Sequence, residues 1–177
     1  MKTVIVSVGT DHHPFDRMLQ WAARAQREAD VRFIVQRGAT APLDGVESFD
    51  YVPAPELEAR MRSADAVVCH GGPGTIGLCH SAGQRPIVVP RDPELGEHVD
   101  DHQMRYSSKL AAEGVIDIAS SCDELIALLM AERVRPSNDA TNVGQAVEEF
   151  AALADALLAG DLPKRSLRER LVFRRSP

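Results

Sequence analysis

Residues 70–77 read HGGPGTIG and follow the apolar run ADAVVC. Gly71, Gly72 and Gly74 surround Pro73, and Thr75 adds a hydroxyl. A turn needs only one or two such residues. This density of glycine suits a backbone that a ligand approaches closely, or one that takes positive φ. Exposed N–H groups leading into a helix form an anion site, and the helix dipole strengthens it. The stretch matches neither G-x-G-x-x-G nor G-x-x-x-x-G-K-[ST], which argues against a dinucleotide fingerprint and a P-loop. The plain alternative is a tight strand-to-helix connection in which Thr75 only caps.

A second concentration of polar groups is GEHVDDHQ, residues 96–103. His98 and His102 stand four apart with carboxylates beside them, a spacing that suits a metal if the segment is helical. Glu97, Asp100, Asp101 and Gln103 can instead hold the hydroxyls of a sugar. A solvated acidic loop that caps a helix is the third possibility. The helix is expected to begin near Asp101, so the two histidines need not share a face. A third concentration is GTDHHPFD, residues 9–16. Gly9 and Thr10 end a strand, Asp16 is placed to cap the following helix, and His12 and His13 can approach a phosphate or a sugar. Neither histidine has a Ser or Cys partner in a recognisable motif, so a hydrolase triad is not supported.

These loops need a scaffold, and the pattern supplies one. KTVIVSV is a continuous β-branched apolar run, as expected for a strand covered on both faces. VRFIVQ, the weaker VESFDYV, AVVCH, RPIVVP and VIDIA follow as further strands. Between and after them come helical stretches: FDRMLQWAARAQREA, PELEARMRSA with Pro55 in its first turn, GTIGLCHSAG, HQMRYSSKLAAEG stopped by Gly114, and SCDELIALLMAERV with a capping arrangement of Ser121 and Glu124. RPSNDATN reads as a loop, and VGQAVEEFAALADALLAG as a long last helix. The alternation predicts an α/β fold with a doubly wound, Rossmann-like parallel sheet. Ligands of such sheets bind at the carboxyl ends of the strands, where all three polar loops lie.

The totals narrow the function. The 177 residues suit one domain, and 44% hydrophobic content fills a core. Only 5% of residues are aromatic, which disfavours base-stacking platforms, and the net charge of −6 argues against nucleic-acid binding. Residues 160–177 hold six basic and two acidic residues, a net +4 that leaves −10 for the remainder. We therefore divide the chain into a domain over residues 1–159 and a basic tail over 160–177, the tail being suited to a partner or an anionic surface. Cys69, Cys79 and Cys122 have no CxxC spacing and read as reduced thiols of the cytoplasm. No apolar run reaches the 18 residues of a membrane span, and the start lacks the apolar stretch of a signal peptide.

Taken together, VSVGTDHHPFDRM, ADAVVCHGGPGTI, GQRPIVVPR and GEHVDDHQ resemble the C-terminal domain of glycosyltransferase family 28. The likeness runs from about residue 2 to 118, with compatible helices to about 159. It is greatest to short bacterial subunits of split exopolysaccharide glycosyltransferases and to the donor-binding subunit of the dolichol-linked GlcNAc transferase. The resemblance implies one half of a GT-B enzyme, with a UDP-sugar donor bound on this half and facing an acceptor-binding half across a cleft. By the same resemblance, Gly71, Gly72, Gly74 and Thr75 hold the donor diphosphate. Asp101, His102 and Gln103 hold the donor sugar, and Gly9 and Thr10 line the cleft. Such enzymes usually work without a bound metal or other cofactor. The resemblance also implies a membrane-associated partner subunit, a lipid-linked acceptor and a peripheral place at the inner face of the membrane. The general base is expected from the partner, with His12 and His13 as the candidates in this chain. One departure stands out: after GTI the family usually has any residue and then Glu, which holds the ribose, whereas here Gly77 is followed by Leu78. The departure admits a second reading, a nucleotide-sugar-binding or regulatory module without transferase activity.

Overall fold

The computed structural model describes residues 1–132. The loop expected at 135–142, the last helix and the basic tail lie outside them. The element order is β1 (Lys2–Ser7), α1 (Asp16–Glu28), β2 (Val31–Gln36), β3 (Glu47–Phe49), α2 (Ala54–Ser63), β4 (Ala66–Cys69), α3 (Pro73–Ser81), β5 (Ile87–Val88), a 3₁₀ turn (Pro93–Leu95), α4 (His102–Ala112), β6 (Asp117–Ile118) and α5 (Cys122–Met130). The strands form one sheet in the order β3-β2-β1-β4-β5-β6, and every neighbouring pair is parallel. This is the doubly wound Rossmann-like order, whose direction reverses between β1 and β4.

The continuous apolar runs are explained by burial of both faces. Val4 and Val6 of β1 join one apolar layer with Met18, Leu19 and Ala22 of α1 and Leu125 and Leu129 of α5. Ile5, between them, joins the opposite layer with Leu57 and Met61 of α2, Ile76 and Cys79 of α3, and Leu110 of α4. β4 repeats the alternation, with Val68 on the first face and Val67 and Cys69 on the second. Each strand residue therefore meets a helix whichever way it points. No helix among the described residues is long and apolar enough to cross a membrane.

Local signals shaped the ends of the elements. Ser121 Oγ accepts the Glu124 N–H at 3.1 Å, and Glu124 Oε2 accepts the Ser120 N–H at 2.7 Å, so the expected capping arrangement of α5 forms. Gly114 follows α4 at φ +74°, and the Val115 N–H returns to the Leu110 carbonyl, as a left-handed helix stop requires. Asp16 differs from expectation. It is the first residue of α1 and not its cap, no side chain of the helix caps that end, and the preceding Phe15 N–H donates instead to Thr40 Oγ1 at 2.9 Å. β5 and β6 are shorter than their apolar runs, because Pro86 and Pro90 flank β5 and cannot donate to a ladder.

Leu125 is fully buried where α5 meets α1 and the sheet. Truncation to alanine leaves a cavity that these rigid elements cannot close. Leu125→Ala is expected to lower unfolding free energy by about 2–5 kcal/mol, read by equilibrium urea denaturation.

Candidate functional site

The reversal of strand order between β1 and β4 opens a crevice at their carboxyl ends, and two of the three polar loops leave from there. The β4–α3 loop is His70–Gly72, and Gly72 is the N-cap of α3 with Pro73 at its first helical position. No side chain caps this end. The N–H groups of the first turn are thus open to an anion.

The glycines have separate reasons. A Cβ on Gly71 would lie 2.6 Å from Ser107 Oγ and 3.0 Å from the Gln103 carbonyl, so its absence lets α4 pack on the loop. A Cβ on Gly72 would collide with the His70 ring. Around Gly74 there is nothing within 4 Å, and the residue is exposed. None of the three has positive φ, so the loop uses the missing side chains and not the conformational freedom. The open approach expected for the whole stretch exists at Gly74, beside half-buried Thr75, whereas Gly71 and Gly72 make room for the protein's own groups.

His70 links this loop to the next one. Its ring is buried, and its Nδ1 lies 3.4 Å from the Ser7 carbonyl. Gly9, at φ +82°, passes so close that any Cβ there would strike the ring. Burial, followed by the nearby charge of Arg91, pushes the His70 pKa down to about 4. The imidazole is therefore neutral at physiological pH.

In the β1–α1 loop, Thr10 and His12 are exposed, and Asp11 and His13 half-buried. Asp11 Oδ1 accepts the His13 N–H at 2.7 Å and lies 2.5 Å from His13 Nδ1, while His12 stacks on His13 with ring centroids 4.1 Å apart. Burial raises the Asp11 pKa, but the backbone and ring hydrogen bonds of His13 and the charge of Arg91 outweigh it and hold the carboxyl below its ordinary value. Two arginines fix these loops from beneath. Arg91 is fully buried and donates from Nη1 to the His13 and Glu97 carbonyls, both at 2.8 Å, and from Nη2 to the Val8 carbonyl at 2.9 Å. Arg17 makes a two-pronged pair with Glu97, at 2.9 and 2.7 Å, and also donates to the Pro90 carbonyl.

The third loop leads into α4. Asp101 occupies the N-cap position without capping, while Asp100 accepts the His102 N–H at 3.0 Å. Hydrogen bonds from the His102 backbone and ring hold the Asp100 carboxyl below its ordinary pKa. Asp101 and His102 are 55% and 73% exposed. Gln103 Oε1 and Ser107 Oγ are buried with no hydrogen-bond partner among the described residues; Ser107 Oγ and the Cβ and carbonyl of Gln103 lie against Gly71. His98 precedes the helix and turns to Asp11, so it does not share a helix face with His102. The two contact opposite oxygens of Asp100.

The sequence-based site thus divides. Gly9, Gly71, Gly72 and Gln103 come together around the β4–α3 loop, with Gly74 and Thr75 in the first turn of α3 and Asp101 and His102 exposed at the start of α4. Sequence reasoning missed Ser107, although its place four residues after Gln103 puts both on one helix face. His70, Arg91 and Asp11 were also missed, because their roles come from contacts between distant loops. Leu78 is half-buried and packs on the second apolar layer, as the plain structural reading expects.

Comparison with known proteins decides the family. Residues 3–157 match the glycosyltransferase family 28 C-terminal domain. The chain belongs to this family. Among solved structures, it is similar to the glycosyltransferase SnogD from Streptomyces nogalater, at 21% identity and a TM-score of 0.57 over 89% of this chain and 44% of that one. It is also similar to the spinosyn rhamnosyltransferase SpnG complexed with thymidine diphosphate, at 20% identity and 0.54, over 89% and 44%. A third is Arabidopsis thaliana UGT89C1 complexed with UDP-L-rhamnose, at 13% identity and 0.53, over 97% and 42%. At these identities the likeness is one of fold, that of GT-B glycosyltransferases. The family 28 chain spans less than half the length of each of these enzymes. No curated protein matches it.

The neutral, buried His70 makes stability depend on pH. The unfolded chain binds a proton near the ordinary value of 6.5, and the folded chain only near 4. The stabilisation is full above about pH 6.5 and is lost as pH falls towards 4, by roughly 3 kcal/mol in total. Urea denaturation at a series of pH values is expected to show this slope and His70→Gln to reduce it, the remainder coming from buried His80, whose pKa burial and then the Arg85 charge also push down to about 4.

Proposed function

We propose that this chain is the donor-binding subunit of a two-subunit glycosyltransferase that moves a sugar from a UDP-sugar to a lipid-linked acceptor. The observation that carries the reading is the uncapped start of α3 at Gly72–Thr75, with open space at Gly74 and with unpartnered Gln103 and Ser107 beside the same loop. A diphosphate suits the first feature, and sugar hydroxyls suit the second. The thymidine diphosphate and UDP-L-rhamnose named with the two structural relatives support a nucleoside diphosphate sugar as ligand.

In the proposed reaction, an acceptor hydroxyl attacks the anomeric carbon of the donor sugar. The bond from that carbon to the diphosphate oxygen breaks, and the electron pair leaves with UDP. The first-turn N–H groups of α3 and the positive end of its dipole stabilise the charge that grows on the diphosphate. Gln103 and Ser107 orient the sugar, Gly9 and Thr10 line the cleft, and neutral His70 adds no charge of its own. The acceptor half, with the base that takes the hydroxyl proton, belongs to a second, membrane-associated subunit, and the basic residues 160–177 form its docking element. The fraction of the relatives' length that this chain spans supports such a division. Exopolysaccharide or glycan synthesis at the inner face of the membrane is the setting that fits the reading, with GlcNAc or another hexose as the sugar.

Leu78 favours a second reading, a nucleotide-sugar-binding or regulatory module without transferase activity, because a leucine in the apolar layer cannot accept ribose hydrogen bonds.

Gly74 gives a cleaner test than Gly72, whose substitution would displace His70. Gly74→Val is expected to weaken UDP binding at least tenfold in calorimetry without disturbing the fold. Gln103→Ala is expected to leave UDP binding intact and weaken UDP-sugar binding by about 0.5–1.5 kcal/mol. Unchanged UDP affinity in a folded Gly74→Val protein overturns the assignment of the loop. The isolated chain is expected to transfer no sugar to a lipid acceptor, and truncation after Gly160 to abolish co-purification with the partner. Robust transfer by the chain alone refutes the two-subunit reading.

A further inference from the structure

The stretch after β5 is turned inside out. Glu97 is buried, where its carboxylate takes the two-pronged pair with Arg17 and accepts the Asp92 N–H at 2.9 Å. Its carbonyl accepts from buried Arg91. Leu95 and Val99, two residues to either side, are 61% and 72% exposed, and Met104 in the first turn of α4 is 37% exposed. Turning Leu95 or Val99 inward would withdraw Glu97 from Arg17 and Arg91 and leave buried charge unpaired. Three of the six large apolar side chains that the described residues expose thus stand between positions 95 and 104, on a loop held from below. Their surroundings are acidic. Glu94 and Asp101 are exposed, and Asp92 and Asp100 half-buried. Arg105, the one Lys or Arg of residues 92–105, lies 3.5 Å from Asp101. A second copy of this face, or an anionic lipid surface, would bring like charge against it.

We propose that this loop is the docking surface of the chain's own basic tail. Residues 160–177 interleave Leu167, Leu171 and Phe173 with a run of lysine and arginine. The apolar side chains meet Leu95, Val99 and Met104, and the cations meet the carboxylates around them. The chain is long enough for this. Lys2 Nζ donates to the Leu129 carbonyl at 2.8 Å, so α5 ends at the amino end of the sheet, whereas the loop lies at the carboxyl end. Crossing the six residues of β1 takes roughly 20 Å. Residues 133–161 span roughly 44 Å even at the compact rise of a helix. Tethering holds the tail at an effective concentration on the order of millimolar, so a modest contact keeps it docked. The same segment is assigned above to a partner subunit. The two contacts exclude one another, and the partner takes the tail from the loop. The proposal stands on the loop and the tail, not on the donor reading.

The test is limited trypsin digestion of the tag-free full-length chain without nucleotide, with mass spectrometry of the cuts between Lys164 and Arg175. Leu95→Ser/Val99→Ser keeps the charge and removes the apolar contact. It is expected to speed tail cleavage by roughly tenfold or more, because cleavage follows the undocked fraction, with circular dichroism verifying the fold. Added salt is expected to narrow the gap between wild type and variant. Leu171→Ser/Phe173→Ser on the tail is expected to give the same gain, and combining the two variants to add nothing further. Equal rates in wild type and the folded loop variant overturn the proposal, even where that variant alone loses binding to phosphatidylcholine vesicles, the result a lipid-facing loop would give. So does protection that disappears on dilution, which would mean docking onto a second copy. If the double loop variant does not fold, Leu95→Ser and Val99→Ser singly carry the comparison, and wild-type rates in both overturn the proposal equally. Neither UDP nor a partner enters the experiment, so failure of the proposed function would leave this result standing.

Discussion

Arg91 sits at the carboxyl edge of the sheet with no solvent exposure, and its Nη groups bridge three backbone carbonyls. The strand order is β1-β4-β5, so a guanidinium just past β5 that bonds Val8 and His13 reaches across the end of β4 to the loop after β1. Only a long, planar group with several fixed donors can do this; a lysine would offer a single point charge. Burying such a charge is unfavourable unless it is paired and hydrogen-bonded. Here Asp11 and Glu97 lie near it, and the Phe15 ring lies 4.7 Å from the guanidinium carbon. Removing the side chain would leave three carbonyls to be satisfied in a place with little water. The positions of Gly9, His13 and Glu97 all depend on it.

Steric exclusion supplies the second constraint. The His70 ring fills the space between the two loops at the strand-order reversal, and it does so because both Gly9 and Gly72 lack a side chain. Gly71 does the same for α4, which brings Gln103 and Ser107 onto the loop. The loop after β1 and helix α4 thus converge on the three residues His70–Gly72 of the β4–α3 connection. What remains unfilled is the approach to Gly74 and the first turn of α3, and that is where the proposed donor diphosphate would meet free N–H groups.

Much of the fold was legible because its signals are local. β-branched runs buried on two faces, helix stops such as Gly114 and the Ser121–Glu124 cap depend on residues a few positions apart. Asp16 shows the limit. Its type and place suited a cap, yet the helix end is served by Thr40, whose position follows from the path of the loop after β2. Burial within the candidate site has a related cause. Asp101, His102 and Gln103 are consecutive, yet Gln103 lies against Gly71 while Asp101 and His102 are exposed, since which side a helix buries is decided by what it packs against.

The sequence by itself determined the parallel α/β architecture, the family and the loops that would carry the site, since apolar period, glycine density and motif order are written along the chain. Tertiary structure alone decided which glycines serve the protein and which leave room for a ligand, for that depends on the distant ring or helix facing each one. It also decided that Ser107 joins Gln103, that His98 meets Asp11 and not His102, and that Arg91 holds the loops together. Each of these rests on a distance between groups remote in sequence, set by the strand order and the packing of helices on the sheet.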